Sequence, residues 1–194
     1  MTSTEPTSTE TAATETGDQG GQNRNPKDGE EVAILETSQG KIVLMFFPEK
    51  APKHVENFKT LVKKGFYDGV RFHRVIPGFM IQGGDPNSKD DDRSNDGIGG
   101  PGYSINAEFN DYKHERGILS AARSQDPNSA GSQFFIMHQK YPSLDNQYSI
   151  YGRVVTGIEV VDKIVNLNRD PNDNPTDMTA NVIKKATLAK WPVK

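Results

Sequence analysis

The stretch FHRVIPGFMIQGGDP, residues 72–86, is a run of Phe, Val, Ile, Phe, Met and Ile with one guanidinium near its start, Arg74, and one amide near its end, Gln82. A strand buried on both faces excludes an arginine, because an unpaired charge taken out of water is costly. Arg74 therefore points outward from a half-buried strand or awaits a partner. Side chains two apart share a face, so Met80 and Gln82 point one way and Phe79 and Ile81 the other wherever the segment is regular. In GSQFFIMH, residues 131–138, the same rule groups Gln133 with Phe135 and leaves Phe134 and Ile136 opposite. The second pair suits a core. The first sets an amide beside a large apolar side chain, as Met80 and Gln82 do. If these two strands and that of Arg74 are neighbours, the outer surface carries an apolar patch edged by a guanidinium and two amides. A site for an apolar group attached to a peptide requires that combination.

Outward from these stretches the pattern is mostly strands. EEVAILET and GKIVLMFFP are β-rich runs separated by Ser38-Gln39-Gly40, which reads as a hairpin. APKHVENFKTLVKKG places Val55, Phe58, Leu61 and Val62 at helical spacing, with Pro52 near its start and Gly65 just past its end. TGIEVVDKIVN predicts a second amphipathic helix through Ile158, Val161, Ile164 and Val165. Further short runs occur at GVRFHRV, GFMIQGG, GILSAA, GSQFFIMH, YSIYGRVV and VIKKATLAKW. Many short strands with two helices and Gly-rich turns predict a closed or nearly closed antiparallel barrel with helices plugging its ends. No repeat of fixed period is visible, which removes solenoids and propellers.

Composition bounds the setting. The 194 residues amount to about one domain, and 33% hydrophobic residues with a mean hydropathy of −0.72 is low for a compact protein of this length. The opening stretch is Thr, Ser, Glu and Gly with no aromatic residue, so residues 1–29 are expected to be a disordered acidic tail and 30–194 the folded domain. Residues 1–30 hold six of the 26 acids and two of the 23 bases, leaving 20 acids and 21 bases for the body. A body this close to neutral has no electrostatic footprint for phosphates, so nucleic acid is not an expected partner. No stretch approaches the ~20 apolar residues of a spanning helix, and no basic region followed by an apolar run precedes Arg24. The expectation is a cytosolic protein with no membrane role. Cysteine is absent, which removes disulfides, thiol nucleophiles and thiolate metal sites together.

FHRVIPGFMIQGGDP resembles the signature of the cyclophilin family of peptidyl-prolyl cis/trans isomerases, and NSAGSQFFI followed by LDNQYSIYGRVVTGIEVVDKI resembles its second half. The likeness runs from Glu31 to about Trp191. It implies a closed eight-stranded antiparallel barrel capped by two α-helices, with a proline site on its outer face. Arg74 matches the family's catalytic arginine, and Gln82 is expected to orient that guanidinium or the flanking backbone. Phe79, Met80, Ala122, Gln133, Phe135, Leu144 and Tyr148 match substrate-binding positions. The implied function is isomerisation of X-Pro bonds in protein substrates by a monomer that assists folding. The implied partners are proline-containing peptides and unfolded or folding proteins, with no cofactor and no metal.

Two positions depart from the well-known eukaryotic members, which carry a tryptophan where this chain has Ser143 and a histidine where it has Tyr148. Without the tryptophan's surface and indole donor, cyclosporin binding is expected to be weak. RSQDPNSAG is one residue longer than in those members, so Arg123 has no firm counterpart.

Plainer readings of the same features stand beside these. An arginine on a half-exposed strand is most often a solvated surface residue, and Phe135, Met80 and Leu144 alone would read as core. His54, His73, His114 and His138 are not spaced as a metal pair. The loop DPNSKDDDRSNDGIGGPGY offers Asp92, Ser94, Asp96 and Gly97 in calcium-loop order, but position twelve is Tyr103 where a bidentate Glu is needed. NRDPNDNPTD places Pro175 where the glycine belongs. GIGGPGY lacks the lysine and the strand-to-helix setting of a phosphate cradle. The competing function is a non-catalytic proline-peptide-binding module or chaperone, and the feature that separates it from an enzyme is Arg74, which a mere proline pocket does not need.

Overall fold

The computed structural model describes residues 21–193. Thr37 ends the first strand, β1 (Glu31–Thr37), and its hydroxyl takes the Gln39 N–H at 3.1 Å, closing a tight turn into β2 (Gly40–Phe46). The first helix, α1 (Pro52–Lys63), opens on a proline whose missing N–H costs nothing in the first turn. Ala51 offers no capping side chain, and Glu108 from a distant loop replaces it, accepting the N–H groups of Lys53 at 3.1 Å and His54 at 3.0 Å. β3 (Arg74–Ile76) and β4 (Met80–Gly83) form the hairpin of the opening motif, followed by two short 3-10 turns in the acidic loop. β5 (Ile118–Ala121), β6 (Phe134–Met137) and β7 (Ile150–Thr156) lead to α2 (Ile158–Val165) and the last strand, β8 (Ile183–Lys190).

All neighbouring strands pair antiparallel in one sheet of order β3-β4-β6-β5-β7-β2-β1-β8. The sheet is an open half-barrel, which corrects the expectation of full closure. β3 is three residues long and does not pair with β8. The seam is spanned instead by the irregular segment before β3, where Gly69 N–H bonds Ile183 O at 2.8 Å, Ile183 N–H bonds Val70 O at 2.8 Å and Phe72 N–H bonds Asn181 O at 2.9 Å. Gly69 sits at φ +82, a left-handed conformation that breaks the extended run which a continuous edge strand would need.

The concave side of the sheet is filled by Leu35, Ile42, Leu44, Val75, Ile81, Leu119, Phe134 and Ile136. Val55, Phe58, Leu61 and Val62 of α1 and Val160, Val161, Ile164 and Val165 of α2 enter the same cluster. α2 has eight residues, too few to persist alone. Its four buried side chains hold it, each contributing about 1.5–3 kcal/mol of transfer free energy. The expected stripe named Ile158, which is only partly buried, and omitted Val160, which is buried.

The tail expected over 1–29 falls largely on residues outside those described. Within them, 21–29 lies against the body. The Arg24 guanidinium bonds both Glu30 carboxylate oxygens at 2.8 and 2.7 Å, Gly29 N–H reaches Trp191 O at 2.7 Å, and Lys113 N–H donates to the Gln22 side-chain oxygen at 2.7 Å. No helix among the described residues is long and apolar enough to cross a membrane.

Candidate active site

Sheet register builds the site. Arg74 on β3 faces Gln82 on β4, Gln82 faces Phe135 on β6, and Phe135 faces Ser120 on β5. Directly opposed residues have Cβ atoms about 4.5–5.5 Å apart, so four strands set guanidinium, amide, aromatic ring and hydroxyl in one row on the convex face. Met80, two residues before Gln82, shares that face and is buried with Phe135 and Met137. Phe79 does not follow strand alternation. It lies in the β3–β4 turn, where its N–H bonds Ile76 O at 3.0 Å after Gly78 at φ +80, and it packs on the convex side with Met80.

A pocket of about 110 Å³ lies along this row. At about 30 Å³ per liquid water it has room for three or four waters, the scale of one small ring. Arg74, Phe79, Met80, Gln82, Ala122, Phe135, Leu144 and Tyr148 all line it, together with Arg123. Gln133 is the one expected residue that lies outside it, in a larger adjoining groove of about 580 Å³. The two cavities share Gln82, Ala122 and Arg123.

The amides form a chain. Gln82 Nε2 donates to Gln133 Oε1 at 2.9 Å, and Gln133 Nε2 donates to the carbonyls of Gly97 and Gly99, each at 2.9 Å. The glycine-rich loop beyond them is held by buried Asp85, whose carboxylate accepts the N–H groups of Asn87, Gly97 and Gly99. A Cβ on Gly99 would collide with that carboxylate, and one on Gly84 with the Ser132 carbonyl. These glycines thus let backbone approach the groove closely, and no cluster of metal-ligating residues occurs among the described residues. Arg74 is exposed, and its guanidinium has no hydrogen-bond or ion-pair partner among the described residues.

Sequence reasoning missed the layer beneath the pocket. The His114 ring stacks on Phe135 at 6.0 Å and meets Tyr148 edge-on at 6.3 Å. Its Nδ1 lies 3.1 Å from Asp145 Oδ1 and its Nε2 3.2 Å from Ser120 Oγ. The series Asp145–His114–Ser120 is ordered like a nucleophilic relay, but Ser120 is 0% and His114 1% exposed, so no substrate reaches the hydroxyl. Burial pushes the His114 pKa down, against the opposing pull of Asp145. The ring is therefore a neutral support for Phe135 and Tyr148. A histidine followed six residues later by a serine on a strand was the available signal, and it is too common to single out.

The family model for cyclophilin type peptidyl-prolyl cis-trans isomerases matches residues 32–187. A probable peptidyl-prolyl cis-trans isomerase of Brucella abortus is 47% identical over 148 residues, which are 74% of this chain and 76% of that protein. A peptidyl-prolyl cis-trans isomerase of Schizosaccharomyces pombe is 43% identical over 161 residues, 79% of this chain and 97% of that protein. The crystal structure of a cyclophilin type isomerase of Cryptosporidium parvum, in the presence of the dipeptide Ala-Pro, superposes with a TM-score of 0.74 at 33% identity, covering 82% of this chain and 99% of that one. With the family model matched over residues 32–187 and relatives this similar along most of its length, this chain belongs to the cyclophilin type peptidyl-prolyl cis-trans isomerase family.

Proposed function

We propose that this protein accelerates rotation about X-Pro peptide bonds with Arg74 as the group that acts on the bond, and that it seats the prolyl ring in the pocket over Phe135. The observation that carries this reading is the free guanidinium set one strand from Gln82 and two from Phe135, at the rim of an apolar pocket of ring size.

Rotation must break amide resonance, a barrier of about 18–20 kcal/mol, and unaided it takes tens to hundreds of seconds. No bond to another atom forms, so no nucleophile is needed. In the twisted state the prolyl nitrogen becomes pyramidal and recovers its lone pair. A donor aimed at that nitrogen stabilises the twisted state more than either planar ground state, which is the requirement for catalysis. Arg74 supplies a permanently charged, planar fork that can address nitrogen and carbonyl together. Met80, Phe79, Leu144 and Phe135 hold the ring and exclude water, while the Gln82–Gln133 chain fixes the amide beside the guanidinium.

A holding module would need the apolar walls and not the free cation, which favours the enzyme. The partners are proline-containing segments of peptides and of unfolded or folding proteins. Exchange NMR on a short Ala-Pro peptide tests the reading, with the intact protein and with Arg74→Ala. Acceleration that collapses in the variant supports it. A folded protein that binds the peptide without speeding exchange would leave the holding module instead. Ser143, exposed on the turn before Leu144, presents no aromatic surface to the pocket rim. Calorimetry with cyclosporin is accordingly expected to give weak binding.

A further inference from the structure

Arg123 stands where the proline pocket meets the larger groove and lines both. Its guanidinium is fixed without being neutralised. Nε and Nη2 donate to Gln147 O at 3.2 and 2.9 Å, Nη1 donates to Ser124 O at 2.9 Å, and the plane sits 4.5 Å over the Tyr148 ring. All of these partners are uncharged. No carboxylate lies within ion-pair distance among the described residues, and neither cavity has an acidic lining residue.

The acids nearest in the chain are committed elsewhere. Asp126 accepts its own turn's Asn128 N–H at 2.9 Å, Asp145 is taken by His114 and Lys113, and Asp85 holds the glycine loop. Arg74, on the same pocket, is likewise unpaired among the described residues. A body that is otherwise nearly neutral therefore concentrates two uncompensated cations around one ring-sized pocket, of which Arg123 is held in a fixed orientation. Backbone carbonyls and an aromatic face spend the guanidinium's geometry and leave its charge for whatever passes between the two cavities.

We propose that Arg123 is a specificity-determining residue that selects X-Pro segments in which the residue before the proline carries a carboxylate side chain. This rests on the isomerase reading above. A peptide whose proline fills the pocket runs its neighbouring residue over the edge shared with the groove, where Arg123 lies, and an acidic side chain there gains an ion pair with a donor that is already ordered. The expected gain in kcat/KM is about three- to fivefold over an uncharged isostere, the scale of one exposed pair.

The test compares peptides that differ only before proline, Glu-Pro, Gln-Pro and Lys-Pro, by exchange NMR with the full chain. The expected order is Glu above Gln above Lys, and the Glu-to-Gln ratio should fall toward one as salt rises from about 0.01 M to about 1 M. Arg123→Gln should bring the ratio to one, Arg123→Glu should invert it, and Arg123→Lys should keep most of it. Gln-Pro accelerated with a Glu-to-Gln ratio of one in the intact protein overturns the specificity and leaves the isomerase standing. A ratio that survives in folded Arg123→Gln also overturns it. If that variant does not fold, a salt-independent ratio in the intact protein has the same force. No acceleration of any of the three peptides would instead bring down the isomerase reading itself.

Discussion

The two faces of β4 and β6 are made from alternate residues of the same strands and have opposite characters. Ile81, Phe134 and Ile136 point into the concave side, where α1 and α2 close over them. Gln82, Phe135 and Met80 point to the convex side, which neither α1 nor α2 covers, and there polar groups are left partly unpaired beside apolar ones. On one face the side chains are packed against one another within the fold. On the other, a guanidinium and an amide remain available. One strand pair can be scaffold and site at once because the pleat separates the two roles by a single residue step.

The strongest way to break this contrast is to exchange the penalties. Phe134→Ala on the concave face should cost about 3–5 kcal/mol of stability in urea unfolding, since a cavity opens among Phe58, Tyr67 and Phe72, and any loss of activity should follow the loss of folded protein. Arg74→Ala on the convex face should do the reverse, lowering kcat/KM about 10²–10³-fold while the urea midpoint stays within about 0.5 kcal/mol. If Arg74→Ala unfolds the protein, or Phe134→Ala kills activity in fully folded material, the division of labour fails.

Gln133→Leu sharpens the same comparison. It removes the acceptor of Gln82 and both bonds to the glycine loop, and about tenfold in kcat/KM, worth about 1.4 kcal/mol, is expected with the core intact. Protein NMR should show shifts confined to the immediate neighbours of 133, to 82 and to 97–99, and shifts spreading to Phe58 and Phe72 in the concave core would mean the faces are coupled.

Acid should act on the stability of the whole fold. Burial pushes His54, His73 and His114 below the ordinary histidine pKa. Above about pH 6.5 these rings are neutral whether folded or not, and stability is unaffected. Below it the unfolded chain takes protons that the fold refuses, so stability falls as pH drops, by about 1.4 kcal/mol per pH unit for each ring that stays neutral. Unfolding followed between pH 7 and pH 5.5, both of about the ordinary histidine range, should show this decline. A stability rising over that interval would mean the rings gain protons in the fold.

Much of the site was legible because it is written locally. Strand alternation alone sorted Phe134 and Ile136 from Phe135 and Gln133, and helix punctuation at Pro52 and Gly65 bracketed α1. Eight of the nine residues that line the pocket, Arg74 among them and Arg123 excepted, were named only through resemblance, since spacing says nothing of which strands are neighbours. The turn position of Phe79, the neutral His114 stacked under Phe135, and the Tyr148 platform for Arg123 were not legible, because each depends on residues far apart in the chain.

The sequence by itself determined which side chains share a face and where helices begin and end, because those follow from the period of two in a strand and from the unsatisfied groups at a helix end. Tertiary structure alone decided the strand order, the open seam between β3 and β8, the docking of residues 21–29, and the capping of α1 by Glu108. Backbone donors and acceptors must be satisfied somewhere, but which distant partner meets them is a property of the folded path and leaves no periodic mark on the chain.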